Sequence, residues 1–135
     1  MIVLDEQLRN SGIKEVIRRW YPGRVVDVTA LRPGTVIRDE AIPSLLRAVE
    51  QPLFLTINAT DFWTKTPADK RYCILCFPLS DLEVPRLPGL LRRLLRLPEF
   101  KSKAARSGKV ARVSEAGIWY YEVTDPDSHF LRWPA

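Results

Sequence analysis

Through the first eighty residues, short apolar runs alternate with stretches in which apolar residues return every three or four positions. Met1 to Leu4 is a continuous apolar run ended by Asp5, which predicts a buried strand. Leu8, Ile13, Val16, Ile17 and Trp20 then recur at roughly helical spacing, with Arg9, Lys14, Glu15, Arg18 and Arg19 between them. Gly12 weakens the start of this helix, and Pro22-Gly23 ends it. Arg24 to Val28 predicts a second strand, and Leu31-Arg32-Pro33-Gly34 a loop. Asp39 opens another helical pattern in which Ile42, Leu45, Leu46 and Val49 share a face; Pro43 fits only in its first turn, and Pro52 closes it. Leu53 to Ile57 and Tyr72 to Phe77 read as third and fourth strands, with the polar stretch Asn58-Ala59-Thr60-Asp61 after the third. This alternation predicts an α/β fold, its central sheet mostly parallel and covered by helices on both faces.

The second half is patterned differently. Leu87, Leu90, Leu91, Leu94 and Leu95 form an apolar stripe, leaving Arg92, Arg93 and Arg96 on the opposite side of a helix. Lys109 to Glu115 and Ile118 to Val123 alternate loosely around Ala116-Gly117, which predicts a C-terminal β-hairpin. From Thr124 onward, Pro126, Pro134, Phe130 and Trp133 suggest an irregular tail that docks its aromatics. No repeat or linker interrupts the chain. Residues 1–135 therefore read as one domain: 1–80 carrying the acidic residues discussed below, 81–123 a basic Leu/Arg-rich helix plus hairpin, and 124–135 the tail.

A length of 135 residues, 46% of them hydrophobic and 27% charged, suits one folded domain and excludes a mainly disordered chain. No apolar run approaches the roughly 18 residues that cross a bilayer. The opening residues lack a secretory pattern, so the expected location is cytoplasmic, with no membrane partner. Charge is more informative in its distribution than in its total of +5. Residues 86–112 hold nine basic side chains (Arg86, Arg92, Arg93, Arg96, Lys101, Lys103, Arg106, Lys109 and Arg112) and one acid, Glu99. A region so biased attracts a polyanion, or is simply a solvated helix face.

Cys73 and Cys76 would face opposite sides of a strand, and no second pair or nearby histidine completes a zinc site, so they read as core residues. His129, the only histidine, has no Gly-x-Ser-x-Gly partner for a hydrolase triad. Neither Gly-x-Gly-x-x-Gly nor a P-loop is present, so no nucleotide cofactor is indicated.

The acids carry the functional signal. Asp5 follows strand one, Asp39 begins the helix before strand three, and Asn58 and Asp61 follow strand three. Ligands of open parallel sheets bind beyond the carboxyl ends of the strands, where strand order reverses. If strand one lies between strands two and three, Asp5 and Asn58 flank such a crevice and Asp39 points into it. Two carboxylates about 4 Å apart repel by roughly 4 kcal/mol at an effective dielectric of 20, so the cluster must protonate, pair with a base or bind a cation. Carboxylates with an amide oxygen form a hard donor set suited to Mg²⁺ or Mn²⁺. Read singly, the same residues are a helix cap, a turn residue and a loop acid.

Met1-Ile-Val-Leu-Asp5-Glu6-Gln-Leu resembles the opening strand of PIN-like domains, the metal-dependent ribonuclease family that includes VapC-type toxins. Arg38-Asp39-Glu40-Ala-Ile42 is similar to the family's second acidic motif, and Thr56-Ile-Asn58-Ala-Thr-Asp61-Phe62 to its third. The likeness runs over about residues 1–80, in order, and suggests a minimal subfamily. It implies a three-layer fold in which Asp5, Asp39 and Asp61 ligate metal and Asn58 supplements them as part of the catalytic set. Thr56 would orient water or a phosphate oxygen, with Glu6 and Glu40 standing behind the ligands. The larger members carry a further acid on inserted helices, for which this chain offers only Glu15 and Asp27.

The implied activity is hydrolysis of phosphodiester bonds in single-stranded RNA, with a toxin–antitoxin pair or RNA processing as its setting. Arg92, Arg93, Arg96, Lys101 and Lys103 would guide the backbone. Trp63 would stack an unpaired base. An antitoxin protein and a homodimer are the other implied partners. The rival expectation is a catalytically weak or inactive module of the same fold that binds RNA or a protein. A structural protein that oligomerises through the Leu-rich segment is a third.

Overall fold

The apolar runs become the short inner strands of a seven-stranded sheet in a computed structural model that describes residues 1–134. Strands β1 (Ile2–Leu4), β2 (Val25–Asp27), β3 (Leu53–Thr56), β4 (Cys73–Cys76), β5 (Lys109–Ser114), β6 (Gly117–Glu122) and β7 (Asp125–Leu131) lie in the order β2-β1-β3-β4-β5-β6-β7. The pairings from β2 across to β5 are parallel, and those of β5 with β6 and β6 with β7 are antiparallel. Strand one thus lies between strands two and three, the arrangement that opens a crevice beyond Asp5 and Asn58.

Side chains alternate across a strand, so each inner strand feeds two cores. On one face Ile2, Leu4, Leu53, Leu55, Leu75 and Ala111 pack with α1 (Ile13–Arg18) and α4 (Leu87–Leu94). On the other, Val3, Phe54, Ile74 and Val110 pack with Ile42 and Leu46 of α2 (Ile42–Arg47) and Phe62 of α3 (Ala59–Phe62). Cys73 belongs to the first core and Cys76 to the second, as the strand spacing requires. Burial pushes both thiols up to about 12, so neither is a nucleophile at neutral pH. α4 begins after a 3₁₀ turn over Asp81–Arg86 that Ser80 and Glu83 close as a capping box. Its leucines 87, 90, 91 and 94 are buried and Arg92 and Arg93 are not. A last short helix, α5 (Lys103–Arg106), is capped by Ser102.

Three expectations are corrected. The first helical pattern splits into a 3₁₀ turn over Glu6–Leu8 and the short α1, because Gly12 at φ 85° breaks the path between them; Val16 then points outward at 39% exposure. Asp39 is not a helix cap: it opens a 3₁₀ turn, Asp39–Ala41, that leads into α2 without a side-chain cap. The segment from Asp125 to Leu131 is no irregular tail but strand β7, so the hairpin is a three-stranded antiparallel meander. Trp133 does dock, its indole N–H donating to the Ser114 carbonyl at 2.7 Å. Among the described residues no helix is long and apolar enough to cross a membrane.

Candidate functional site

Beyond the carboxyl ends of β1 and β3, one hydrogen-bonded chain links the acidic segments. Pairing fixes the Asp5 backbone, whose N–H donates to the Leu55 carbonyl at 2.9 Å. The Asp5 carboxylate, 5% exposed, accepts from the Glu6 backbone N–H at 2.8 Å and from the Thr56 hydroxyl at 2.6 Å. That hydroxyl, fully buried at the end of β3, accepts in turn from the Asn58 backbone N–H at 2.9 Å. Asn58 caps α3: its side-chain oxygen accepts from the Asp61 N–H at 3.2 Å. Its amide N–H₂ donates to Asp61 at 2.6 Å and to Asp39 at 3.3 Å.

Negative charge is held here at a cost. Burial raises the Asp5 carboxyl above the usual range, against the two hydrogen bonds that favour its charged form. Asp39 is raised too, first by burial and then by the charges of Asp5 and Asp61. Asp39 therefore feels both other acids at once. A groove of about 460 Å³ opens beside Asp39, Glu40 and Asp61, with Lys65 also on its lining. Glu6 and Glu40 are both exposed to solvent.

Hard oxygens beyond parallel strands are the right donor chemistry for Mg²⁺ or Mn²⁺. Their number is small: among the described residues no group of three or more acidic, histidine or cysteine side chains is gathered closely enough to share an ion. Asp39 and Asp61 face a common donor, the Asn58 amide, which stands where a cation would, while Asp5 is turned to Glu6 and Thr56. Two carboxylates suffice for an ion that keeps several waters and is completed by a substrate phosphate. The set fits on those terms, and does not form a cage built wholly from protein.

The α4 arginines and Lys103 are not beside these acids. α4 packs on the α1 face of the sheet, whereas Phe62 of the acidic groove belongs to the other core. Lys103 and Arg106, with Arg24, lie close enough to Met1 to help burial depress its amine. They thus lie toward the opposite edge of the sheet, since Met1 and Asp5 are separated along β1 by roughly 13 Å. Arg92 stacks over Trp20 with 5.6 Å from guanidinium to ring centroid, and Arg93 over Trp133 at 4.4 Å. Arg96, Lys101 and Lys103 are exposed.

Trp63 is half-buried and packs on Tyr121 with centroids 5.3 Å apart, so its ring is largely committed to the protein. His129 binds Asp125 at 2.7 Å, away from the acids. The pattern of the chain did not mark Lys65, Tyr72 and Tyr121 as a group. Tyr121 comes from β6, 60 residues after Asp61 in the chain, and no local motif signals such a neighbour. No known protein family, curated protein or solved structure matches the chain.

Proposed function

We propose that the protein is a minimal PIN-like, metal-dependent endoribonuclease acting on single-stranded RNA. The observation that carries this reading is the meeting of Asp39 with the Asn58–Asp61 cap, a separate segment of the chain, at one edge of a mostly parallel sheet. The three-segment resemblance to PIN-like domains supports it, and a toxin–antitoxin pair is its natural setting. Asp39 and Asp61 would hold Mg²⁺ or Mn²⁺ in place of the Asn58 N–H₂ that bridges them, with Asp5 completing the acidic set from behind. Bound there, the ion would supply charge stabilisation for a phosphodiester and lower the pKa of water.

The chain's own residues do the rest. Asp5 and Thr56 position the Asn58 backbone, and Asn58 sets the spacing of Asp39 and Asp61 through its amide. Arg92, Arg93, Arg96, Lys101 and Lys103 contribute long-range attraction for RNA from another face, as a sequence-independent field. A second reading, a weak or inactive module that binds RNA or a protein, is favoured by the small number of gathered acids.

Purified protein incubated with single-stranded RNA, with Mn²⁺ or with chelator, separates the two. The nuclease reading expects cutting that needs the metal and that Asp61→Ala lowers by about two orders of magnitude, the scale of several kcal/mol in a transition state. RNA binding without metal-dependent cutting would establish the module. Equal cutting by wild type and Asp61→Ala would trace the activity to a contaminant.

A further inference from the structure

A second recess, of about 510 Å³, lies across the Lys65–Pro67 segment from the acidic groove, and both cavities are lined by Lys65, Thr66 and Pro67. Its walls include Tyr121, Val123 and Pro126, with Thr64 and Ser128 also on the lining. Resting on the nuclease reading above, we propose that this recess receives the base of the nucleotide adjoining the cleaved bond, and that Lys65 holds the phosphate between the two cavities.

The dividing segment is built to stay in place. The Tyr121 hydroxyl donates to the Thr66 carbonyl, and the Tyr72 hydroxyl to the Pro67 carbonyl at 2.5 Å. The Thr66 N–H donates to Phe62 at 3.1 Å, and Trp63 packs on Tyr121. Thr64 takes φ 61°, a left-handed conformation that a β-branched residue adopts only when its surroundings hold it there. Lys65, next along the chain, is thereby set on the wall between the cavities.

Charge points to the occupant. Asp39, Glu40 and Asp61 line the acidic groove with Lys65, yet among the described residues Lys65 makes no ion pair. In the recess, Glu122 is already engaged by Lys109 at 3.6 Å and by the Thr124 hydroxyl at 2.9 Å. An unpaired lysine on a wall between a hard-cation groove and an apolar recess matches one repeating unit of a polynucleotide: phosphate at the lysine, flat base in the recess. The recess lies within the range of roughly 300–1,000 Å³ typical of small-ligand sites. Thr64 and Ser128 on the lining each carry a hydroxyl, a donor and acceptor through which the recess would prefer one base over another.

The test measures anisotropy of fluorescein-labelled single-stranded RNA octamers, homopolymeric in each of the four bases, in chelator so that nothing is cut. Wild type, Lys65→Gln, Lys65→Arg, Val123→Trp and Ser128→Tyr are compared across salt concentrations, with a thermal melt of each to show that it folds. Lys65→Gln is expected to weaken binding about 5- to 10-fold and to lower the salt slope by about one phosphate, with Lys65→Arg restoring both. Val123→Trp and Ser128→Tyr fill the recess from two sides, and each is expected to weaken binding and change the ranking of the four octamers. Wild-type affinity, slope and ranking in all folded variants would overturn the recess while leaving metal-dependent cutting intact. Wild type that neither binds nor cuts RNA would instead overturn the nuclease reading, and this inference with it.

Discussion

Thr56 shows how much one hydroxyl can be asked to do. It is fully buried, donates to a buried carboxylate and accepts from the backbone that carries Asn58. Thr56→Val keeps the shape and removes both bonds, leaving Asp5 short of a donor in a site where water cannot replace it. The expected loss is about 2–3 kcal/mol in urea unfolding, the range for a buried hydrogen bond to a charged group. Asp39 gives the opposite sign. Burial and the neighbouring acids raise its carboxyl, so between the usual carboxylate range and that raised value the folded protein holds the proton that the unfolded chain has released. Stability contributed by this group is complete at acid pH and is lost as pH rises through the raised value. Asp39→Asn is therefore expected to raise the melting temperature of the metal-free protein at pH 7 and to give no gain near pH 3. Part of the slope remains in the variant, because Asp5 is raised in the same direction. A variant that melts lower than wild type at pH 7 would show that Asp39 is paired rather than strained.

At the scale of elements, α4 is an amphipathic helix with buried leucines on one face and Arg92 and Arg93 on the other. Its leucines fill one core, where Leu91 is wholly buried. Leu91→Ala is expected to cost about 2–5 kcal/mol, measured by urea unfolding, because the cavity it leaves only partly closes. The α4 stripe was legible in the chain because a repeat of three and four survives whatever the helix packs against. The break near Gly12 and the outward turn of Val16 were not, since the spacing from Leu8 to Trp20 fits a continuous helix equally well. β7 was hidden for a different reason. Asp125, Pro126, Asp127 and Ser128 look like turn residues, and only an edge position, where a proline needs no ladder partner, lets such a sequence extend.

Across the whole molecule, the acidic groove and the α4 arginines occupy different surfaces. The acids stand beyond the carboxyl ends of the parallel strands, and α4 carries its arginines on the α1 face, with Lys103 and Arg106 reaching toward Met1. RNA attraction and metal binding should then respond to different variants. Arg92→Glu with Arg93→Glu is expected to weaken RNA binding by about tenfold or more and flatten its salt dependence by about two phosphates. The same pair is expected to leave any Mn²⁺-induced rise in melting temperature as large as in wild type, and Asp61→Ala is expected to abolish it. Loss of the Mn²⁺ response in the arginine variant would show that the two surfaces act as one.

What the sequence determined by itself was the local grammar: four apolar runs, the helices between them, and acids placed just after strands. Side-chain period and chain length dictate those features, and they belong to neighbouring residues. The tertiary structure decided which separate segments share a surface. It joined Asp39, Asn58 and Asp61 through one amide and turned Asp5 toward Thr56. It also moved the basic helix away from the acids and brought Tyr121 against the loop that carries Lys65. Those outcomes follow from strand order and from the hand of each crossover, which govern contacts between residues tens of positions apart and leave no mark on any short stretch of chain.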